Sequence, residues 1–255
     1  MKYKAGFIGA GNMGGALLRG VAKVTDKIAV FDVDGSKAKA FEAECGCEAV
    51  DLYTVAENSE FLFLAVKPNV VEPVCSEISG KVAGTVVSMA AGVDTGSLTG
   101  WLGTDRVIRI MPNTPAGVGK GVILYTPCDG ADERGFLEIM RECGIADKLP
   151  ERLIDAGMAR SGCGPAFVYM FIEALADGAV SCGLPRDKAE LYAKHTVLGA
   201  AELALASGKH PGKLKDEVCS PGGTTIEGVL ALEKGAFRAT VADAVRAAYD
   251  KTKKL

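Results

Sequence analysis

Six residues near the start of the chain have the types and spacing to hold a pyrophosphate. They are Gly9-Ala10-Gly11-Asn12-Met13-Gly14, a G-x-G-x-x-G run. It follows a short apolar segment, Ala5 to Ile8, and opens a stretch of helical apolar spacing, Met13 to Lys23. In that order the first glycine makes a tight turn, the second lets backbone approach a phosphate, and the third lets helix and strand pack closely. The helix N-terminus adds free N–H groups and a partial positive charge. Asp32 ends the next apolar run, Lys27 to Phe31. An acid there accepts hydrogen bonds from the ribose hydroxyls of a dinucleotide and repels a 2′-phosphate, which leans toward NADH. Two other readings stay open. Asp32 and its twin Asp34 are solvated turn acids, or Ser36 and Lys37 hold a 2′-phosphate after the loop swings Asp32 away.

Three more turns recur at the ends of apolar runs: Ala65-Val66-Lys67-Pro68, Met89-Ala90-Ala91-Gly92 and Met111-Pro112-Asn113-Thr114-Pro115. Singly, each is ordinary strand-end chemistry. At successive strand ends they describe one crevice, where a doubly wound sheet takes its ligand. Far downstream, Ser220-Pro221-Gly222-Gly223-Thr224-Thr225 sets two glycines before two threonines at the start of a helix. Such a loop is a backbone nest for a carboxylate. The same residues would equally make a plain helix start, with Thr224 or Thr225 as the cap. Acid–base groups are few. His195, among apolar neighbours in a helix, reads as a packed core or interface residue, and His210 as a loop residue. No Ser–His–Asp pattern, no HExxH and no cluster of metal ligands is present in the sequence. Hydride transfer from a dinucleotide makes the least demand on such groups.

The elements that must hold these residues follow from the hydropathy pattern. Strands are expected at 5–8, 27–31, 60–66, 84–89 and 106–111, with helices at 13–23 and 36–44, the second capped by Ser36. Continuous apolar strands alternating with helices make a parallel sheet covered on both faces, a Rossmann-like doubly wound α/β domain. From about Leu153 the pattern is helical throughout: a helix from Pro165 to a stop at Gly183, one from Pro185 to Ser207 stopped by Gly208, and a last one over about Arg238 to Lys254. The expected division is therefore 1–151, a dinucleotide-binding domain, and 152–255, an all-helical domain. The apolar faces of the second (Phe167, Met170, Phe171, Ala174, Leu175) exceed what it can bury alone, which points to dimerisation.

Composition limits the partners. The chain has 255 residues, 48% hydrophobic and 24% charged, with a net charge of −3. That is a folded chain without the basic excess that nucleic acid or an anionic membrane would require. No uncharged apolar run is long enough to span a bilayer, and no secretory leader is visible, so the expected location is cytoplasmic. The eight cysteines form no CxxC pair. They are expected to be free thiols in a reducing compartment, with no metal site.

With these residues in place, the chain resembles the pyrroline-5-carboxylate reductases over nearly its whole length. The resemblance is carried by FIGAGNMG, AVKP, AAGV, MPNTPA, SGCGPAFVYMFIEALADGAV and above all HPGKLKDEVCSPGGTTIEG. It implies a 6-phosphogluconate-dehydrogenase-like fold, an interlocked homodimer or a ring of dimers, and reduction of 1-pyrroline-5-carboxylate to L-proline by NADPH or NADH. It implies that Gly9, Ala10, Gly11, Asn12, Met13 and Gly14 cradle the phosphates. Ala65, Val66, Lys67, Pro68, Met89, Ala90 and Ala91 would lie along the cofactor, and Asn113 near the nicotinamide. Gly223, Thr224 and Thr225 would bind the substrate carboxylate, the Thr225 hydroxyl would bond the imine nitrogen as the catalytic group, and Glu151 would stand near the substrate. The chain departs from the family pattern at Cys163, Arg160, Phe167 and Asp32, the last bearing on cofactor choice. The alternatives are a reductase of a related cyclic imine or of a 3-hydroxy acid, or a dinucleotide sensor without turnover. A hydroxy-acid enzyme would be expected to carry a lysine on the long helix after Pro165, where none occurs before Lys188.

Overall fold

A computed structural model describes residues 1–252, and the last residues of the helix expected to reach Lys254 lie outside them. The chain divides into two compact units. The first comprises Met1–Cys163 with the residues from Ala248 onward, and the second Gly164–Ala247.

In the first unit the order is β1 (Tyr3–Ile8), α1 (Asn12–Val21), β2 (Ile28–Phe31), α2 (Gly35–Cys45), β3 (Glu48–Ala49), α3 (Leu52–Asn58) and β4 (Ser59–Leu64). Then come α4 (Pro68–Ile78), β5 (Thr85–Ser88), α5 (Thr95–Leu102), β6 (Val107–Met111), β7 (Gly121–Pro127), α6 (Glu133–Met140), β8 (Gly144–Lys148) and α7 (Ile154–Ser161). The strands form one sheet in the order β3-β2-β1-β4-β5-β6-β7-β8. From β3 to β6 every pairing is parallel, and the direction in which successive strands are added reverses at β1 and β4: β2 and β3 lie on one side of β1, and β4 to β6 on the other. That reversal opens the crevice in which doubly wound folds bind ligands.

The expected strands at 60–66 and 84–89 end earlier, at Leu64 and Ser88. Ala65-Val66 and Met89 turn out of the ladder toward the crevice. The sheet is also not parallel throughout. β7 runs antiparallel to β6, with β8 parallel to β7. The link from Met111 to Gly121 holds only a 3-10 turn, Thr114–Val118, and a parallel return needs a longer crossover. The expected cap of α2 moves as well: Asp34, not Ser36, is the N-cap, and its Oδ1 accepts the Ser36 N–H at 3.1 Å.

Apolar clusters pack on both sheet faces, with Leu17, Phe41 and Phe136 on one and Val71, Ile78 and Leu98 on the other. This is why β4, SEFLFL, is apolar without a break from Phe61 to Leu64 rather than alternating. At the sheet's centre Phe7 of β1 stacks on Phe63 of β4, with ring centroids 4.6 Å apart and planes within 7°.

The second unit contains α8 (Gly164–Ser181), α9 (Arg186–Ser207), α10 (Pro211–Val218), α11 (Thr224–Lys234) and most of α12 (Phe237–Thr252). The stops fall where the sequence places them, with Gly183 and Gly208 both at positive φ. Its buried core is small: Ala176, Ala189 and Ala193 lie between α8 and α9. Tyr169, Met170 and Leu205 stay 60%, 69% and 84% exposed in the single chain. His195 is exposed too, which removes the core half of its reading. The helical stretch Glu151–Ser181 is long and apolar enough by composition to cross a membrane, with mean hydropathy 1.3. Glu173 and Asp177 interrupt it, and a second apolar surface would serve to cover it.

Candidate active site

The G-x-G-x-x-G run lies between β1 and α1, as its spacing predicts. Gly9 has φ +100°, and a Cβ there would meet the Ala65 carbonyl oxygen at 2.6 Å. Gly14 packs so closely that a Cβ would stand 2.5 Å from the Gly9 oxygen. Gly11 differs. It caps α1 with ordinary extended backbone, and a Cβ on it would touch nothing within 4 Å. The fold does not require that glycine; the open space in front of it does. The first turn of α1 has no side-chain cap and no acidic residue, so the N–H groups of Asn12, Met13 and Gly14 have no partner from the helix itself. Free donors, a helix N-terminus and an empty approach over Gly11 fit a dinucleotide pyrophosphate.

A cavity of about 260 Å³ runs from this turn. Gly9, Gly11, Asp32, Ala65, Val66 and Lys67 line it, with Val33 and Lys37 at one end. Asp32 binds the turn directly: Oδ2 accepts the Ala10 N–H at 2.7 Å and Oδ1 the Asp34 N–H at 2.9 Å. The groups that would take a 2′-phosphate both face Asp34. The Ser36 hydroxyl donates to Asp34 Oδ1 at 2.5 Å, and Lys37 Nζ stands 3.7 Å from Asp34 Oδ2. The Ser36 bonds hold the Asp34 carboxyl below its ordinary pKa.

The other strand ends continue the crevice. The Gly9 N–H bonds the Phe31 oxygen, the Ala65 N–H the Ile8 oxygen and the Met89 N–H the Leu64 oxygen, so three turns leave three neighbouring strands side by side. Met89, Ala90 and Ala91 follow β5 and do not line the 260 Å³ cavity. Pro68, next to Lys67, begins α4. Asn113 follows β6 and is buried, with both ends of its side-chain amide hydrogen-bonded. Its Nδ2 donates to the Ser161 oxygen at 2.9 Å, and its Oδ1 accepts the Val122 N–H at 2.8 Å. Its amide thus ties the β6 turn to β7 and to the end of α7.

Glu151 begins the 3-10 turn before α7. Its Oε1 accepts the Thr95 N–H at 2.8 Å and its Oε2 the Thr95 hydroxyl at 2.7 Å, at the N-terminus of α5. Arg109 of β6, 3% exposed, approaches the same Oε1 at 3.2 Å and Asp155 Oδ1 at 2.8 Å. Sequence reading missed Arg109, Thr95 and Asp155. The available signal was an arginine inside the apolar run Val107 to Met111, since a buried charge needs a partner.

In the second unit the loop before α11 bears on one part of the alternative above, the identity of the cap. The N-cap is Gly223, without a side-chain bond. Neither Thr224 nor Thr225 caps the helix, and neither hydroxyl bonds another described residue. Gly222 at φ +66° turns the backbone, and the Gly223 N–H closes onto the Ser220 oxygen at 3.0 Å. The first N–H groups of α11 and the two hydroxyls stay exposed. Exposed N–H groups beside a hydroxyl donor are chemically suited to an anion. His210 Nδ1 is committed elsewhere: it accepts the Gly212 N–H at 3.1 Å and caps α10. Among the described residues no cluster of His, Cys, Asp and Glu could hold a metal.

Comparison with known proteins agrees with both halves. The family model described as pyrroline-5-carboxylate reductase dimerisation matches residues 151–255. The model described as NADP oxidoreductase, coenzyme F420-dependent, matches residues 4–92. The pyrroline-5-carboxylate reductase of Escherichia coli (strain K12) is 43% identical over 269 residues, which cover 100% of this chain and 99% of that one. A solved pyrroline-5-carboxylate reductase from Coxiella burnetii superposes with a TM-score of 0.89 at 33% identity, covering 100% and 98% of the two chains. The Plasmodium falciparum pyrroline carboxylate reductase, solved with NADP bound, gives 0.88 at 31% identity with the same coverage.

Proposed function

The chain belongs to the pyrroline-5-carboxylate reductase family, and from that premise we propose that it reduces the ring C=N bond of 1-pyrroline-5-carboxylate to give L-proline. A bound reduced nicotinamide dinucleotide supplies the hydride. The observation that carries the reading in this chain is the pair of preformed anion sites: the uncapped α1 turn for the pyrophosphate and the uncapped Gly223-Thr224-Thr225 nest for the substrate carboxylate.

The chemistry asks little else of the protein. An imine accepts hydride well only when its nitrogen is protonated. The Thr225 hydroxyl bonds that nitrogen and keeps a proton in reach as its charge changes, while the Gly223 and Thr224 N–H groups hold the carboxylate. Binding at two fixed points orients the ring, which is where most of the acceleration of a bimolecular step arises. Asn113 fixes the shape of the turn beside the reacting centre through its two hydrogen bonds. A strong general base is not needed, in keeping with exposed His195 and a helix-capping His210.

For the cofactor we favour NADH. Asp32 lines the cavity, and Asp34 faces Ser36 and Lys37, so a 2′-phosphate would meet two carboxylates beside the one cation of this loop. The decisive assay follows absorbance at 340 nm with 1-pyrroline-5-carboxylate and each cofactor in parallel. Wild type should turn over both substrates with a higher kcat/KM for NADH. Asp32→Ser should shift the NADH:NADPH ratio of kcat/KM at least about tenfold toward NADPH, since removing a like charge of this kind is worth about 1.4 kcal/mol or more. A ratio unmoved by the substitution would remove Asp32 as the determinant, and no turnover with either cofactor would remove the activity.

The exposed apolar surface of α8, α9 and α12 supports assembly through the second unit, as a homodimer or a ring of dimers. Burial pushes the thiols of Cys75 and Cys143 up to about 12, which leaves them unreactive, and free buried thiols of this kind suit a reducing cytoplasm. With a net charge of −3, neither nucleic acid nor an anionic membrane is an expected partner.

A further inference from the structure

We propose that Arg109 and Glu151 act as one positioning unit that sets the reactive end of the crevice, with Glu151 working from behind the site rather than on the substrate. The inference rests on reading the Met89–Gly92 and Met111–Pro115 turns as the nicotinamide end.

Four observations carry it. Arg109 is the one charged residue on β6, and it is buried two residues before the turn. Its guanidinium holds Glu151 and Asp155 at the start of α7, while Asn113, just past the same strand, holds the Ser161 oxygen at the end of α7. The helix is thereby pinned at both ends to β6 and its turn. Glu151 extends the link to the neighbouring turn, because both its oxygens take the backbone and hydroxyl of Thr95, directly after the Met89–Asp94 segment. Helix dipole and charge agree there, since the carboxylate lies on the N-terminus of α5. Two crevice turns and α7 therefore share one hydrogen-bonded junction, and both Glu151 oxygens accept hydrogen bonds inside the protein. Arg109 Nε lacks a partner, and the hydrogen bonds of its two terminal nitrogens go to the two acids.

A junction of this kind fixes the relative placement of two turns, and a misplacement of reacting groups by about 1 Å costs on the order of 100-fold in rate. The test uses Arg109→Gln, Glu151→Gln and the double variant in the full-length enzyme. The readouts are thermal stability, NADH affinity by fluorescence, and kcat with both KM values. Each single variant should lose about 10- to 100-fold in kcat with the KM for the imine within about threefold, and the double variant should lose no more than the worse single one. Arg109→Lys, which keeps the charge without the two-armed fork, should fall with them and covers the case where the glutamine variant does not fold. A lowered melting temperature with kcat within twofold of wild type would make the junction purely structural and overturn the proposal. A raised imine KM at unchanged kcat would place Glu151 on the substrate and overturn it as well. The premise has its own control: a Gly11→Val enzyme that still binds NADH would remove the crevice reading itself.

Discussion

A Gly11→Val enzyme is expected to fold like wild type and to lose dinucleotide binding by more than about 100-fold. The two halves of that statement come from separate observations. Gly11 sits at φ −75° and ψ −170°, a conformation any residue adopts, and a Cβ there would touch nothing. Valine is a poorer N-cap than glycine, at a cost of about 1 kcal/mol or less. For a chain of this size that is a shift of about 2–4 °C in Tm. Binding is another matter. The isopropyl group fills the approach to the free N–H groups of α1, and a pyrophosphate that cannot reach them loses its charge-assisted hydrogen bonds, each worth about 1.5–3 kcal/mol. Fluorescence titration with NADH beside a thermal melt separates the two effects. Near-normal affinity would remove the turn from the binding site. Gly14→Val is the contrasting case, because its Cβ would collide with the Gly9 carbonyl. It should lose stability as well as binding.

Thr225→Ala should lower kcat about 100-fold with little change in Tm. A single well-placed donor at a centre of changing charge is worth on the order of 100- to 1000-fold. The hydroxyl caps no helix and bonds no described residue, so its loss leaves no protein group unpaired. Thr225→Ser, which keeps the donor, should stay within about tenfold of wild type. Stopped-flow or steady-state absorbance at 340 nm measures both variants, at saturating NADH and imine. If alanine kept the full kcat, the nest would hold the carboxylate alone and the hydroxyl would have no part in the chemistry.

Much of this site is legible in the chain before any coordinates are seen, because its parts are local. Glycine spacing, an acid at a strand end and a Gly-Gly-Thr-Thr helix start each lie within a few residues. What stayed hidden depends on partners distant in sequence. Arg109 meets acids 42 and 46 residues downstream, and only its presence in an apolar strand hints at them. β8, Gly144–Lys148, is an edge strand with few apolar residues, and β3 has only two residues, so neither shows a period. Nor does Val122 to Tyr125, a plainly apolar run, record that it runs antiparallel to β6. Whether Thr224 or Thr225 caps α11 was open for a different reason. Which residue caps a helix is decided by the backbone angle at which the chain enters it, and residue types alone do not fix that angle.

The pairing of β1 with β4, sealed by Phe7 against Phe63, has a consequence for how the protein is made. On the ribosome β1 is among the first segments to emerge, yet its central partner follows roughly 55 residues later. At about 5–20 residues per second the nascent strand waits some 3–10 s before it can be covered. β2 emerges sooner and pairs with one edge of β1, but through that interval the edge that β4 will take is open to any other strand nearby. The same early strand that delivers Gly9 to the phosphate turn is thus the segment most in need of a chaperone's protection during translation.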